Sequence, residues 1–121
     1  MINFKRIDHV QICIPKGKED EARKFYTDIM GLKEIPKPAS LMANGGLWYQ
    51  VADVELHLGV EKEVIKTSRH PAFEITDVKA ARNLLEKIVE IVEEPYISGR
   101  ERFAFIDPFG NKIELLQMIK E

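Results

Sequence analysis

At 121 residues, 45% of them hydrophobic, the chain is long enough to bury one core or two small ones. Charged residues make up 31%, the two signs are interspersed, and the net charge of −2 leaves no basic field of the kind nucleic acid requires. No apolar run approaches the roughly 18–20 residues of a bilayer span, no apolar leader core follows Met1-Ile2-Asn3-Phe4-Lys5-Arg6, and the single cysteine, Cys13, rules out an intrachain disulfide; together these predict a cytoplasmic protein with no membrane or nucleic-acid partner.

Taken in chain order, the first element is a strand over His9–Ile14. Val10, Ile12 and Ile14 share one parity, and His9, Gln11 and Cys13 the other. Pro15-Lys16-Gly17 turns the chain. The spacing of Ala22, Phe25, Tyr26, Ile29 and Met30 then predicts a helix over Glu19–Met30, closed by Gly31. Pro36-Lys37-Pro38 breaks structure and Asn44-Gly45-Gly46 is a turn. Strands are expected over Leu47–Val51 and Val54–Val60.

The second half repeats this order. His70–Ile75 reads as a strand, Thr76-Asp77 offers N-cap chemistry, and Ala81, Leu84, Leu85, Ile88 and Val89 predict a helix over Val78–Val89. Strands follow over Ile91–Glu94, Arg102–Ile106 and Lys112–Met118, the last two joined by an Asp107–Asn111 turn. At one constant spacing Ala22-Arg23 falls on Ala81-Arg82, Phe25 on Leu84, Ile29 on Ile88, Glu34 on Glu93 and Pro36 on Pro95. Small loop shifts then align His9 with His70 and His57 with Glu114. The fold class is therefore α+β: two tandem βαβββ modules, about 1–62 and 63–121 of a single domain, each needing the other to bury its faces.

All three histidines of the chain fall at these matched positions, and Glu114 takes the fourth. Each lies on the strand parity opposite the apolar residues: His57 against Leu56 and Leu58, Glu114 against Ile113 and Leu115. Neutral imidazoles with one carboxylate suit a divalent Zn, Ni, Mn, Fe or Co ion, and the charge they leave uncompensated keeps such an ion Lewis acidic. His9, His57, His70 and Glu114 are thus the candidate metal ligands. Glu55, two residues from His57 on the same face, competes with it; the alignment with Glu114 favours His57. Nothing around Cys13 marks an activated nucleophile. Trp48 and Gln50 are candidate cavity residues. The arginines of Ser98-Gly99-Arg100-Glu101-Arg102 form either a solvated charged loop or a carboxylate-binding one. No His-Glu-x-x-His helix, Cys-x-x-Cys pair, P-loop or Ser-His-Asp spacing is present.

Several strings resemble the vicinal oxygen chelate superfamily, also called the glyoxalase/bleomycin-resistance/dioxygenase family. They are Ile7-Asp8-His9-Val10, the helix end Phe25-Tyr26 through Gly31-Leu32, and Val54-Glu55-Leu56-His57-Leu58. Two more are His70-Pro71-Ala72-Phe73-Glu74-Ile75 and Asp107-Pro108-Phe109-Gly110-Asn111 with Lys112-Ile113-Glu114-Leu115. The resemblance implies paired modules forming a curved, partly barrel-like mixed sheet with helices on its outer face, around one metal held at the four positions above. It also implies a small oxygen-bearing substrate chelated by that metal, Glu114 or metal-bound water as the proton-transfer group, and a homodimer. Isomerase, lyase, dioxygenase and thiol-transferase chemistry all stay open, as does a non-catalytic drug-binding role. The chain departs from glyoxalase-type members at the fourth-strand position, where they often carry Glu or Gln and it carries His57.

Overall fold

The computed structural model describes residues 1–120. The chain divides into two compact units, Met1–Val64 and Ile65–Glu121. In the first, β1 (His9–Pro15) leads to α1 (Glu19–Arg23), which continues as a π-helix over Lys24–Ile29. Then come β2 (Lys33–Ile35), a 3-10 segment (Ala39–Asn44), β3 (Leu47–Val51) and β4 (Val54–Glu61). The second unit runs β5 (Ala72–Glu74), α2 (Val78–Leu85), β6 (Glu90–Val92), β7 (Arg100–Ile106) and β8 (Lys112–Met118).

Each unit folds its strands into one mixed sheet with the same order: β1-β4-β3-β2 and β5-β8-β7-β6. The first strand of each runs parallel to the last, and the remaining neighbours are antiparallel. This is two βαβββ modules with open sheets, the architecture the sequence predicts. Alternation decides which side is buried: Ile12, Ile14, Leu56 and Leu58 enter the first core with Ala22, Phe25, Tyr26 and Tyr49. Phe103, Phe105, Ile113 and Leu115 enter the second with Val78 and Leu85. Each such side chain contributes roughly 1.5–3 kcal/mol by leaving water.

The residues that the two halves share have a visible job. In the first unit Arg23 Nε donates to Glu34 Oε1 at 2.9 Å, tying the helix to β2. In the second, Arg82 pairs with Glu93 at the corresponding place. The recurring Ala-Arg and Glu are therefore one helix-to-strand clamp built twice.

Three expectations shift. The first helix widens: Met30 N–H reaches back to the Phe25 carbonyl and Leu32 N–H to Tyr26, a spacing wider than the α pattern. Gly31, at φ +74, then reverses the chain. The second helix ends at Leu85, four residues early: Ile88 N–H takes the Leu85 carbonyl in a tighter turn, and Glu90–Val92 is drawn into pairing with β7. Strand β2 has only three residues beside Pro36, too few for a periodicity to register.

Turn chemistry works as read. Asp77 caps α2, its Oδ1 accepting from Ala80 N–H at 3.0 Å, worth about 1 kcal/mol. Asp107 Oδ1 accepts from the N–H of Phe109 at 2.9 Å and of Asn111 at 2.7 Å, and its Oδ2 accepts from the Asn111 amide. The Asp-Pro-Phe-Gly-Asn string is thus a self-bonded turn that sets β8 running. Among the described residues no helix is long and apolar enough to cross a membrane.

Candidate metal centre

The ladder registers carry the matched positions. Gln11 lies opposite His57 and Ala72 opposite Glu114. His9 and His70 each stand two residues before those partners, so the first-strand and last-strand positions coincide between units. On the other flank Trp48 lies opposite His57 and Ala104 opposite Glu114. The same backbone address therefore holds His57 in one unit and Glu114 in the other, and both are buried.

In the first unit the two histidines meet as rings. His9 and His57 stack at 4.1 Å between centroids and 15° between planes. Trp48 covers the other face of His57 at 3.9 Å and 3°. Asp8 Oδ2 accepts from His9 Nδ1 at 2.9 Å, and that bond, ahead of every other influence, holds the Asp8 carboxyl below its usual range. A carboxylate only accepts, so His9 carries its proton on Nδ1 and presents a free Nε2. For His57 the opposite nitrogen is engaged: Nε2 donates to Glu55 Oε1 at 2.9 Å. Glu55, the competing candidate on this face, is thus bonded directly to His57. These residues line a cavity of about 760 Å³ together with Gln11, Trp48 and Lys37. Gln50 is turned away from it, donating to the Ala52 and Val54 carbonyls of the β3–β4 turn.

Two supports hold the cavity wall. Gly46, at φ +86, passes so close to the Leu58 carbonyl that a Cβ would occupy the same space. Its N–H donates to Glu19 Oε2 at 2.9 Å, and this bond draws the Glu19 carboxyl below its ordinary value. Cys13 is half-buried, and burial first, then Glu61, pushes its thiol up, the reverse of what a nucleophile needs.

In the second unit the pair is an imidazole facing a carboxylate. His70 Nδ1 donates to the Ser68 carbonyl at 2.8 Å, which places a proton on Nδ1 and turns Nε2 to the other side of the ring. That Nε2 points at Glu114 Oε1, 3.3 Å away. A ring nitrogen and a carboxylate oxygen at this distance are held together by a proton on the ring or by a cation between them. Ligand atoms about 2.1 Å from a shared ion lie roughly 3.0–3.4 Å apart at right-angle to tetrahedral geometry, so the observed spacing fits two neighbouring ligands. A first-strand histidine whose far nitrogen is pinned by a carbonyl or carboxylate is also how metal-binding imidazoles are oriented. The His70–Glu114 pair therefore has the chemistry and spacing of two divalent-ion ligands. The donors stand as a pair in each unit, and among the described residues no three His, Cys, Asp or Glu side chains form a group able to hold one.

One partner escapes sequence reasoning. Arg102 is no solvated loop residue: it lies in β7, and its Nη1 donates to Glu114 Oε1 at 3.1 Å. The sequence predicts its strand position, but its pairing with Glu114 follows from the β7–β8 register, which sets Ala104 opposite Glu114.

A family model for the glyoxalase/bleomycin resistance protein/dioxygenase superfamily matches residues 6–115. Among solved structures, a protein from Bacillus anthracis assigned to the glyoxalase family is 38% identical with a TM-score of 0.88, over 98% of this chain and 100% of that one. A glyoxalase/dioxygenase from Nostoc punctiforme is 22% identical with a TM-score of 0.79, over 98% and 94%. The fosfomycin resistance protein FosX from Listeria monocytogenes, complexed with Mn(II) and sulfate, is 17% identical with a TM-score of 0.78, over 97% and 93%. At the last two identities the likeness establishes the fold. No curated protein sequence matches the chain.

Proposed function

Since the chain belongs to the glyoxalase/bleomycin resistance protein/dioxygenase superfamily, we propose that it is a metal-dependent enzyme acting on a small oxygen-bearing molecule, with His9, His57, His70 and Glu114 as its metal ligands. The observation that carries this reading is the His70–Glu114 contact: Nδ1 is held by the Ser68 carbonyl, and Nε2 stands 3.3 Å from a carboxylate oxygen. The ion would be Zn, Ni, Mn, Fe or Co, all of which accept this mixture of nitrogen and oxygen. When bound, it would supply Lewis acidity to stabilise negative charge developing on substrate oxygens.

The chain's own residues do the rest. Asp8 and the Ser68 carbonyl hold the His9 and His70 rings so that Nε2 is presented in each. Glu114, nearly excluded from water and held between His70 and Arg102, is the group that would take or return a proton at a substrate carbon or oxygen. The Trp48–His57–His9 stack gives the cavity a flat wall that favours planar or extended π-bearing substrates and excludes water from one side. The reaction is an isomerisation, a lyase step, a dioxygenation or a thiol transfer, and the chain acts as a homodimer.

The stacked wall also favours a second reading, a non-catalytic protein that sequesters a drug or metabolite. Elemental analysis of the purified protein separates the two. Near-stoichiometric transition metal, lost in both His9→Ala and Glu114→Ala, supports the enzyme. Metal-free protein that binds aromatic ligands with unchanged affinity in Glu114→Ala supports the binder.

A further inference from the structure

Arg102 is tied down more firmly than its surroundings require. Its side chain is 13% exposed beside a Glu114 side chain at 8%. One arm of the guanidinium, Nη1, donates to Glu114 Oε1 at 3.1 Å, and the other, Nη2, to the Pro95 carbonyl at 2.7 Å. Glu94 Oε2 stands 4.0 Å from Nη1, and Glu94 is itself held by Lys112 Nζ at 2.7 Å. Nε is buried and has no hydrogen-bond partner among the described residues. An arginine free to choose would turn Nε toward an acceptor; this one leaves it unsatisfied to keep both arms where they are.

The result is a division of labour on one oxygen. Glu114 Oε1 gives one lone pair to Arg102 and turns the other toward His70 Nε2. The last torsion of a glutamate is broad and nearly two-fold, so a carboxylate without this anchor would spread over many orientations. We propose that Arg102 is a positioning residue that locks the Glu114 carboxylate in front of His70 before any ion arrives. The proposal rests on the reading of Glu114 as a metal ligand. Charge alone would argue the other way, because a guanidinium repels a dication, and Glu94, 4.0 Å from Nη1 and already paired with Lys112, does not cancel it. What Arg102 supplies is the planar two-armed fork, which bridges a carboxylate and a carbonyl at once and which a lysine does not reproduce.

The test uses the full-length chain stripped with EDTA, checked for cooperative melting, and titrated with Mn(II) by calorimetry and by electron paramagnetic resonance. Arg102→Lys keeps the charge and loses the fork; Arg102→Gln loses both. Both variants are expected to bind Mn(II) about 10–100-fold more weakly than the parent, by similar factors, and Glu114→Gln is expected to lose the ion altogether. If one arginine variant fails to fold, the other carries the test. Parent-like or tighter binding in the arginine variants, with the ion lost in Glu114→Gln, overturns the positioning role and leaves the ligand reading standing. Loss in Arg102→Gln alone would assign the effect to charge and also overturn it. Parent-like affinity in Glu114→Gln would bring down the ligand reading, and this inference with it.

Discussion

The two units share a sheet order and a register, but the side chains at their matched positions do different things. In the first, His57 lies flat between Trp48 and His9, with Nε2 spent on Glu55. In the second, Glu114 faces His70 edge-on and is braced by Arg102. A duplicated scaffold has thus kept its addresses and diverged in their use. One copy holds a wall of rings suited to contacting a ligand, and the other an imidazole–carboxylate pair suited to an ion. Backbone register decides where a functional group sits; its neighbours decide what it can do.

The largest effects that would sharpen this contrast concern metal. Glu114→Ala and His70→Ala should abolish retention of the ion, His9→Ala should weaken it strongly, and His57→Ala should weaken it least, because both faces of that ring and one nitrogen are already engaged. Elemental analysis after gel filtration reads the order. A His57→Ala variant as depleted as Glu114→Ala would show that the stack opens to ligate, and would erase the distinction between the units.

Core substitutions come next and should be symmetric. Tyr49 and Phe105 occupy the same ladder position in their units, opposite Leu56 and Ile113, and both are wholly buried. Tyr49→Ala and Phe105→Ala should each cost about 3–5 kcal/mol in denaturant melts. The asymmetry lies in the hydroxyl: Tyr49 Oη meets Thr27 Oγ1 at 2.8 Å, so Tyr49→Phe should cost about 1 kcal/mol on its own.

Acid should reach both units through depressed carboxyls. Lys112 first, and then Arg102, hold Glu94 below its ordinary value, and the Gly46 N–H does the same for Glu19. A lowered folded-state pKa means stability that is present above the unfolded value and lost as pH falls through the folded one. The melting temperature should therefore drop on the acid side, and Glu94→Gln should flatten that drop while lowering the neutral-pH plateau. A steeper acid limb in Glu94→Gln would contradict the assignment. Smallest of all, Arg23→Ala and Arg82→Ala should each change stability by less than about 1 kcal/mol, since both clamps are partly solvated.

Much of this was legible in the sequence for identifiable reasons. Strict alternation marked β1, β4 and β8, and the shared Ala-Arg, Glu and Pro marked the repeat, because the clamp they build needs those residues at that spacing. Periodicity overran the second helix by four residues, because pairing with β7 claimed Glu90–Val92. The π-widening after Arg23 left no trace, since an extra residue per turn is set by how Phe25 and Tyr26 seat in the core. Among candidate site residues, the pairing of His57 with Trp48 and the bracing of Glu114 by Arg102 were hidden, because both depend on strand register rather than on spacing along the chain.

X-ray absorption at the metal edge of the reconstituted protein tests the central claim most directly. The account predicts a shell of nitrogen and oxygen neighbours at about 2.0–2.2 Å with the multiple-scattering signature of imidazole, diminished in His57→Ala, the ligand variant expected to keep most of its ion. A shell of oxygen alone, unchanged by that substitution, would contradict it.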